Sequence, residues 1–152
     1  MTDNISNMNS YLCFKLGKEF FAANVKSTLK ILQLSEITKV PQAPSNMKGL
    51  INHHGNVLPV VDLNQTLELP ITEASASSCI VILSVGTEKD NINIGAIVDE
   101  VLSVEEIYDE NIKDPPSIGG NNKLDYIKGV FENKEQFVMI LDIDKIFEDN
   151  NL

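Results

Sequence analysis

Two stretches of this sequence carry the same punctuation, and that repeat constrains the fold more than any other feature. Lys48-Gly49-Leu50-Ile51 leads to Asp62-Leu63 fourteen residues after the lysine, and Lys128-Gly129-Val130-Phe131 leads to Asp142-Ile143 at the same interval. Between these markers Val57-Leu58-Pro59-Val60-Val61 corresponds to Phe137-Val138-Met139-Ile140-Leu141. Each unit reads as strand, polar turn, strand and capped helical turn. A Lys-Gly pair followed by an aspartate arises readily by chance; two apolar runs in the same register do not. Two related subdomains follow.

The first unit, Asn46 to Leu69, holds the clearest local signals. Met47 to Ile51 and Val57 to Val61 flank Asn52-His53-His54-Gly55-Asn56, which is a hairpin pattern in which Gly55 supplies the positive φ of a tight turn. Pro59 has no amide proton, so its strand is expected at an edge or a bulge. Asp62 is expected to cap a short helix through about Leu67, and Asp142 to cap its counterpart. Gly49 and Gly129 complete the structural set.

Elsewhere the chain reads as short strands. The first ten residues are polar and expected to fray, with order from Tyr11. Leu12, Phe14 and Leu16 alternate with polar or smaller neighbours, and Gly17-Lys18 turns them into Glu19–Ala23. Asn24 is expected to cap a helical turn from Val25 to about Leu29, before a strand from Ile31 through Val40 that Pro41 and Pro44 end. Residues 70–78 connect the subdomains, with terminal elements free to exchange between them. Cys79–Val85 reads as a strand buried on both faces, and Ile92, Ile94, Ala96 and Val98 share one face. Val101–Ile107 lies among Asp99, Glu100, Glu105, Glu106, Asp109 and Glu110, a pattern expected of a solvated sheet edge, with a docking face for a basic partner as the alternative. Asp114–Asn122 is the longest breaker-rich loop, and the second unit runs from Leu124. About ten strands without convincing helical periodicity favour an all-β fold of two small barrels in one domain over residues 11–149.

Composition narrows the function. With 22 acidic and 12 basic residues the formal charge is −10, which opposes binding to nucleic-acid phosphates or an anionic membrane surface. No apolar run is long enough to span a bilayer, and Met1–Ser10 lacks a secretion signal, so a cytoplasmic protein is expected. Cys13 and Cys79 then read as small buried hydrophobes in a reducing compartment, with a disulfide between them as the minor alternative. His53 and His54 are the only histidines. Adjacent side chains on a strand diverge, which argues against joint chelation of a metal, and no nucleophilic triad is visible. A small metal-binding barrel using this pair is a remote alternative. The pattern calls for no catalytic residue, metal or cofactor.

The first unit resembles the signature of the CheW family of chemotaxis coupling proteins, standing here as Lys48-Gly49-Leu50-Ile51-Asn52-His53-His54-Gly55-Asn56-Val57-Leu58-Pro59-Val60-Val61-Asp62-Leu63. The likeness extends through Gly95–Val101 and Lys128-Gly129 to Leu141–Ile146, covering about residues 10 to 148. It implies two five-stranded barrels of the SH3-like kind and a non-enzymatic adaptor. Such an adaptor bridges methyl-accepting chemoreceptor cytoplasmic tips and the CheA histidine kinase, through the kinase's CheW-like regulatory domain, at membrane-bound receptor arrays. In the family one barrel docks on the kinase and a groove between barrels takes the receptor hairpin. Partner-binding candidates by resemblance are Thr28, Lys30, Ile31, Asn52, His53, His54, Gly55, Val98 and Asp99. The family usually has Arg where His54 stands, Leu at His53 and often Glu at Lys30. A guanidinium is permanently charged and planar, whereas imidazole is mostly neutral at pH 7. These departures suggest co-adaptation to a particular receptor set, or an adaptor that binds the kinase but not receptors.

Overall fold

The computed structural model describes residues 7–86, 89–115 and 125–149. In chain order its main elements are β1 (Met8–Leu16), β2 (Glu19–Asn24), β3 (Thr28–Gln33), β4 (Met47–His53), β5 (Asn56–Asp62), α1 (Leu63–Thr66), β6 (Cys79–Gly86), β7 (Asn91–Val98), β8 (Glu100–Tyr108), β9 (Ile127–Asn133), β10 (Gln136–Leu141) and α2 (Ile143–Asp149). The strands form two five-stranded sheets, ordered β8-β1-β2-β10-β9 and β3-β6-β7-β5-β4. The sheets are not the two halves of the chain, because the N-terminal hairpin β1–β2 joins strands from the C-terminal half. Their plans nevertheless match. The antiparallel pair β1–β2 runs parallel, through β2, to β10 of the β9–β10 hairpin, and β6–β7 runs parallel, through β7, to β5 of the β4–β5 hairpin. This is the all-β, twin-barrel architecture that the repeat implies.

The Lys-Gly signature is a β-bulge. Met47 pairs with Val61 and Gly49 with Val60, leaving Lys48 as the extra residue; Ile127 pairs with Leu141 and Gly129 with Ile140, leaving Lys128. A bulge bends its strand and breaks the ladder locally. Beside each bulge another segment crosses: Thr38 exchanges backbone hydrogen bonds of 2.9 and 2.8 Å with Leu50, and Lys113 exchanges two of 2.8 Å with Val130. The glycines make room for these crossings. A Cβ on Gly49 would overlap the Thr38 carbonyl oxygen, and one on Gly129 would stand 2.5 Å from Ile112 Cγ2.

Strand alternation then builds three cores. Tyr11, Cys13, Ala22, Phe131, Val138 and Ile140 fill the barrel of β1, β2 and β8–β10. Ile51, Leu58, Val60, Ile80 and Ile82 fill the barrel of β3–β7. The opposite faces of the same strands meet between the barrels, where Leu12, Phe14, Leu16 and Phe21 pack with Val61, Val81, Leu83, Ile94, Val98 and the α2 residues Ile146 and Phe147. Burial on both faces explains why β6 reads as a nearly continuous apolar run. The barrels therefore share their largest core, and truncating Phe14 to alanine would cost about 3–5 kcal/mol.

Several expectations need correction. Order begins before Tyr11, since Met8 already pairs with Tyr108. Asn24 caps a turn, its side chain accepting from the Lys26 amide, but the turn ends at Ser27. The next strand is Thr28–Gln33 rather than Ile31–Val40, because its partner β6 begins at Cys79, opposite Gln33. Pro59 is on an interior strand: β5 lies between β7 and β4, and the pairing to β7 starts only at Val60, so no donor is missed at Pro59. Cys13 is buried, but Cys79 is only half-buried. Most of the expected loop Asp114–Asn122, and Leu124, lie outside the described residues. Asp62 and Asp142 cap as anticipated, accepting from the Asn64 amide at 2.9 Å and the Lys145 amide at 3.1 Å.

Candidate functional site

The partner-binding candidates fall into three places. Thr28, Lys30 and Ile31 stand on β3, an edge of its sheet. Thr28 is half-buried and closes the preceding turn through a 3.1 Å bond from its hydroxyl to the Val25 carbonyl. Lys30 and Ile31 are exposed, Ile31 to 44%. The pairing with β6 skips Leu29, which bulges outward and is 55% exposed. Leu29 was not among the candidates.

The other sheet repeats this device. Its edge strand β8 skips Leu102 in pairing with β1, and Leu102, Val104 and Tyr108 are exposed on one face of β8. Apolar and acidic residues are interleaved on this strand, a pattern that marks a solvated edge without saying that part of its exposed face is apolar. Glu106 is exposed on the same face, whereas Glu105 is half-buried and accepts from Ser103 Oγ at 2.8 Å. The solvated edge is therefore real, and part of its exposed surface is apolar.

The second place is the β4–β5 turn. His54 (φ 53) and Gly55 (φ 83) both occupy left-handed conformations, as Lys134 and Glu135 do in the β9–β10 turn. Two such residues define the tight hairpin turn that matches strand twist. Asn52 Oδ1 accepts from the Gly55 amide at 2.9 Å, so this side chain braces the turn. His54 is exposed and His53 half-buried. Because His54 leaves the extended conformation, the two rings do not diverge; their centroids lie 4.2 Å apart, edge to face. Desolvation, then His54 and then Lys30, hold the His53 pKa below its usual value.

The third pair is not surface at all. Val98 is 0% exposed and belongs to the core between the barrels, so a partner cannot reach it. Asp99 is half-buried and takes hydrogen bonds from Thr72 Oγ1 at 2.6 Å, from Asn64 Nδ2 at 3.2 Å and from the Gly17 amide. Its carboxylate is committed internally, which gives it a bracing role. Among the described residues no group of three or more His, Cys, Asp and Glu is placed to hold a metal ion.

Comparison with known proteins identifies the arrangement. A CheW-like domain matches residues 10–151. The chemotaxis protein CheW of Thermotoga maritima is 30% identical over 141 residues, covering 91% of this chain and 87% of that protein. The CheW protein of Bacillus subtilis is 26% identical over 149 residues, covering 97% of this chain and 92% of the relative. Among solved structures, that of the scaffolding protein TtCheW from Thermoanaerobacter tengcongensis superposes with a TM-score of 0.83 at 24% identity, over 96% of this chain and 97% of the other. The twin barrels, the bulged Lys-Gly hairpins and this match over nearly the whole length make the chain a member of the CheW-like family, whose members are non-enzymatic adaptors.

Proposed function

We propose that this chain is an adaptor of chemotaxis signalling that couples the cytoplasmic tips of methyl-accepting chemoreceptors to a CheA-type histidine kinase through the kinase's CheW-like regulatory domain. The observation that carries this is the unbroken CheW-like match over residues 10–151. In support, the sheet edges β3 and β8 display apolar side chains at Leu29, Ile31, Leu102 and Val104. Exposed edges with apolar residues are suited to docking another chain. The adaptor unit is the single domain over residues 11–149, working in the cytoplasm at receptor arrays; no described helix is long and apolar enough to cross a membrane. On β3, Leu29, Lys30 and Ile31 face the receptor, together with the His53-His54 turn.

The test is binding measured separately to a receptor tip and to the kinase regulatory domain from the same cell, with folded protein confirmed. Micromolar binding to both is expected. Binding to the kinase alone selects the narrower adaptor without receptor coupling, and binding to neither contradicts the assignment.

A further inference from the structure

The β4–β5 turn brings together two groups that an extended strand would hold apart. His53 ends β4, but His54 takes φ 53, and the imidazole centroids lie 4.2 Å from each other. Two imidazoles that share one metal ion through nitrogens at about 2.0–2.1 Å hold their centroids roughly 4.5–5 Å apart. The observed spacing is therefore close to that of a chelating pair. The exposed His54 side chain reorients within nanoseconds, so its ring nitrogen can turn toward that of the half-buried His53 without backbone movement.

The surroundings leave the rings available. Asn52, the neighbouring polar side chain, uses its oxygen on the Gly55 amide, so the turn is pinned without help from either imidazole. The neutral imidazole is the form that binds metal, and the neighbouring Lys30 ammonium places a positive charge near the pair. Lys30 repels a metal cation for the same reason, which limits the affinity.

We propose that His53 and His54 form a surface site for a borderline divalent transition ion such as Zn2+ or Ni2+, with water completing the coordination in the isolated chain. Imidazole nitrogen selects these ions over Mg2+ and Ca2+, which prefer oxygen ligands. Among the described residues no third ligand is placed beside the pair, so the remaining positions are open to an exogenous group.

The test uses the full chain, stripped with a chelator and titrated with Zn2+, Ni2+ and Mg2+ by calorimetry, with the histidine ring protons followed by NMR. One equivalent of Zn2+ or Ni2+, but not Mg2+, is expected to bind and to shift both sets of ring signals. His53→Gln and His54→Asn should each weaken binding about tenfold or more, asparagine being chosen because it tolerates the left-handed conformation. Lys30→Gln should tighten it severalfold, and circular dichroism checks that each variant folds. Two results would overturn the proposal: no binding of either ion up to millimolar concentration, or unchanged binding by the variant that lacks both histidines. The second would assign the ion to carboxylates of this acidic chain.

Discussion

Thr72 donates its hydroxyl hydrogen to Asp99 Oδ1 across 2.6 Å, tying the segment after α1 to the end of β7. The same carboxylate accepts from Asn64 Nδ2 and from the Gly17 amide in the β1–β2 turn of the other barrel. One side chain thus links both barrels and the connection between them. Asp99→Ala should destabilise the protein by about 2–3 kcal/mol, because three donors lose their acceptor in a partly buried setting. Urea denaturation checks this. A variant with parent-like stability that has lost receptor binding would instead make Asp99 a contact residue.

The two Lys-Gly bulges are alike but not equally tolerant. Alanine at Gly49 would drive its Cβ into the Thr38 backbone, at a φ of 148° that side chains rarely adopt, whereas alanine at Gly129 meets chiefly the methyl group of Ile112. Backbone yields less readily than a side chain. Gly49→Ala should therefore cost more than Gly129→Ala, with about 3 kcal/mol or more expected at Gly49. Thermal denaturation of the two variants gives the order, and equal losses would contradict the role given to the Thr38 crossing.

The thiols should separate cleanly. Burial, reinforced by the Glu105 charge and opposed by a Ser103 hydrogen bond, pushes the Cys13 thiol up to about 11 from 9.0. Cys79 is half-buried. A thiol reagent on the native protein is expected to modify Cys79 well before Cys13, with both reacting in denaturant. The linkage has a definite sign. Between pH 9 and 11 the unfolded chain ionises this thiol while the folded chain keeps it neutral. Stability is fully retained below that window and falls as pH rises through it. Burial, with Asp109 adding to it, also raises the Tyr11 pKa above its ordinary 10.0, so Tyr11 acts in the same direction. Denaturation midpoints from pH 8 to 11 follow the effect, and Cys13→Ala should flatten the part due to the thiol.

Much of this fold is legible in the residues because its signals are local. Alternation marks the hairpins, and Asp62 and Asp142 announce their helices by capping chemistry. The repeat is legible because each bulge needs a glycine where a second backbone crosses. What the residues do not announce is set by distant partners. Which strands share a sheet depends on packing between the barrels, so nothing near Glu19–Asn24 states that β2 will pair with β10. The β3 boundary depends on where β6 begins, and the interior place of Pro59 on where the pairing with β7 starts. The candidate site is less legible still. Val98 and Asp99 lie beside each other at the end of β7 yet both turn inward, one into the shared core and one onto Thr72 and Asn64. Leu29 and Leu102 stand at bulges, whose positions are set by the pairing of β3 with β6 and of β8 with β1 rather than by any local signal. The proximity of His53 and His54 depends on a positive φ at His54, whereas the sequence pattern assigns the positive φ of the turn to Gly55.

The central claim is that two proteins grip this chain at once. Sedimentation velocity of the chain with a receptor tip fragment and the kinase regulatory domain tests it most directly. The account predicts a ternary species larger than either binary complex, and substitution of Leu29 and Ile31 by aspartate should remove the receptor while leaving the kinase bound. Mutually exclusive binding of the two partners would contradict it.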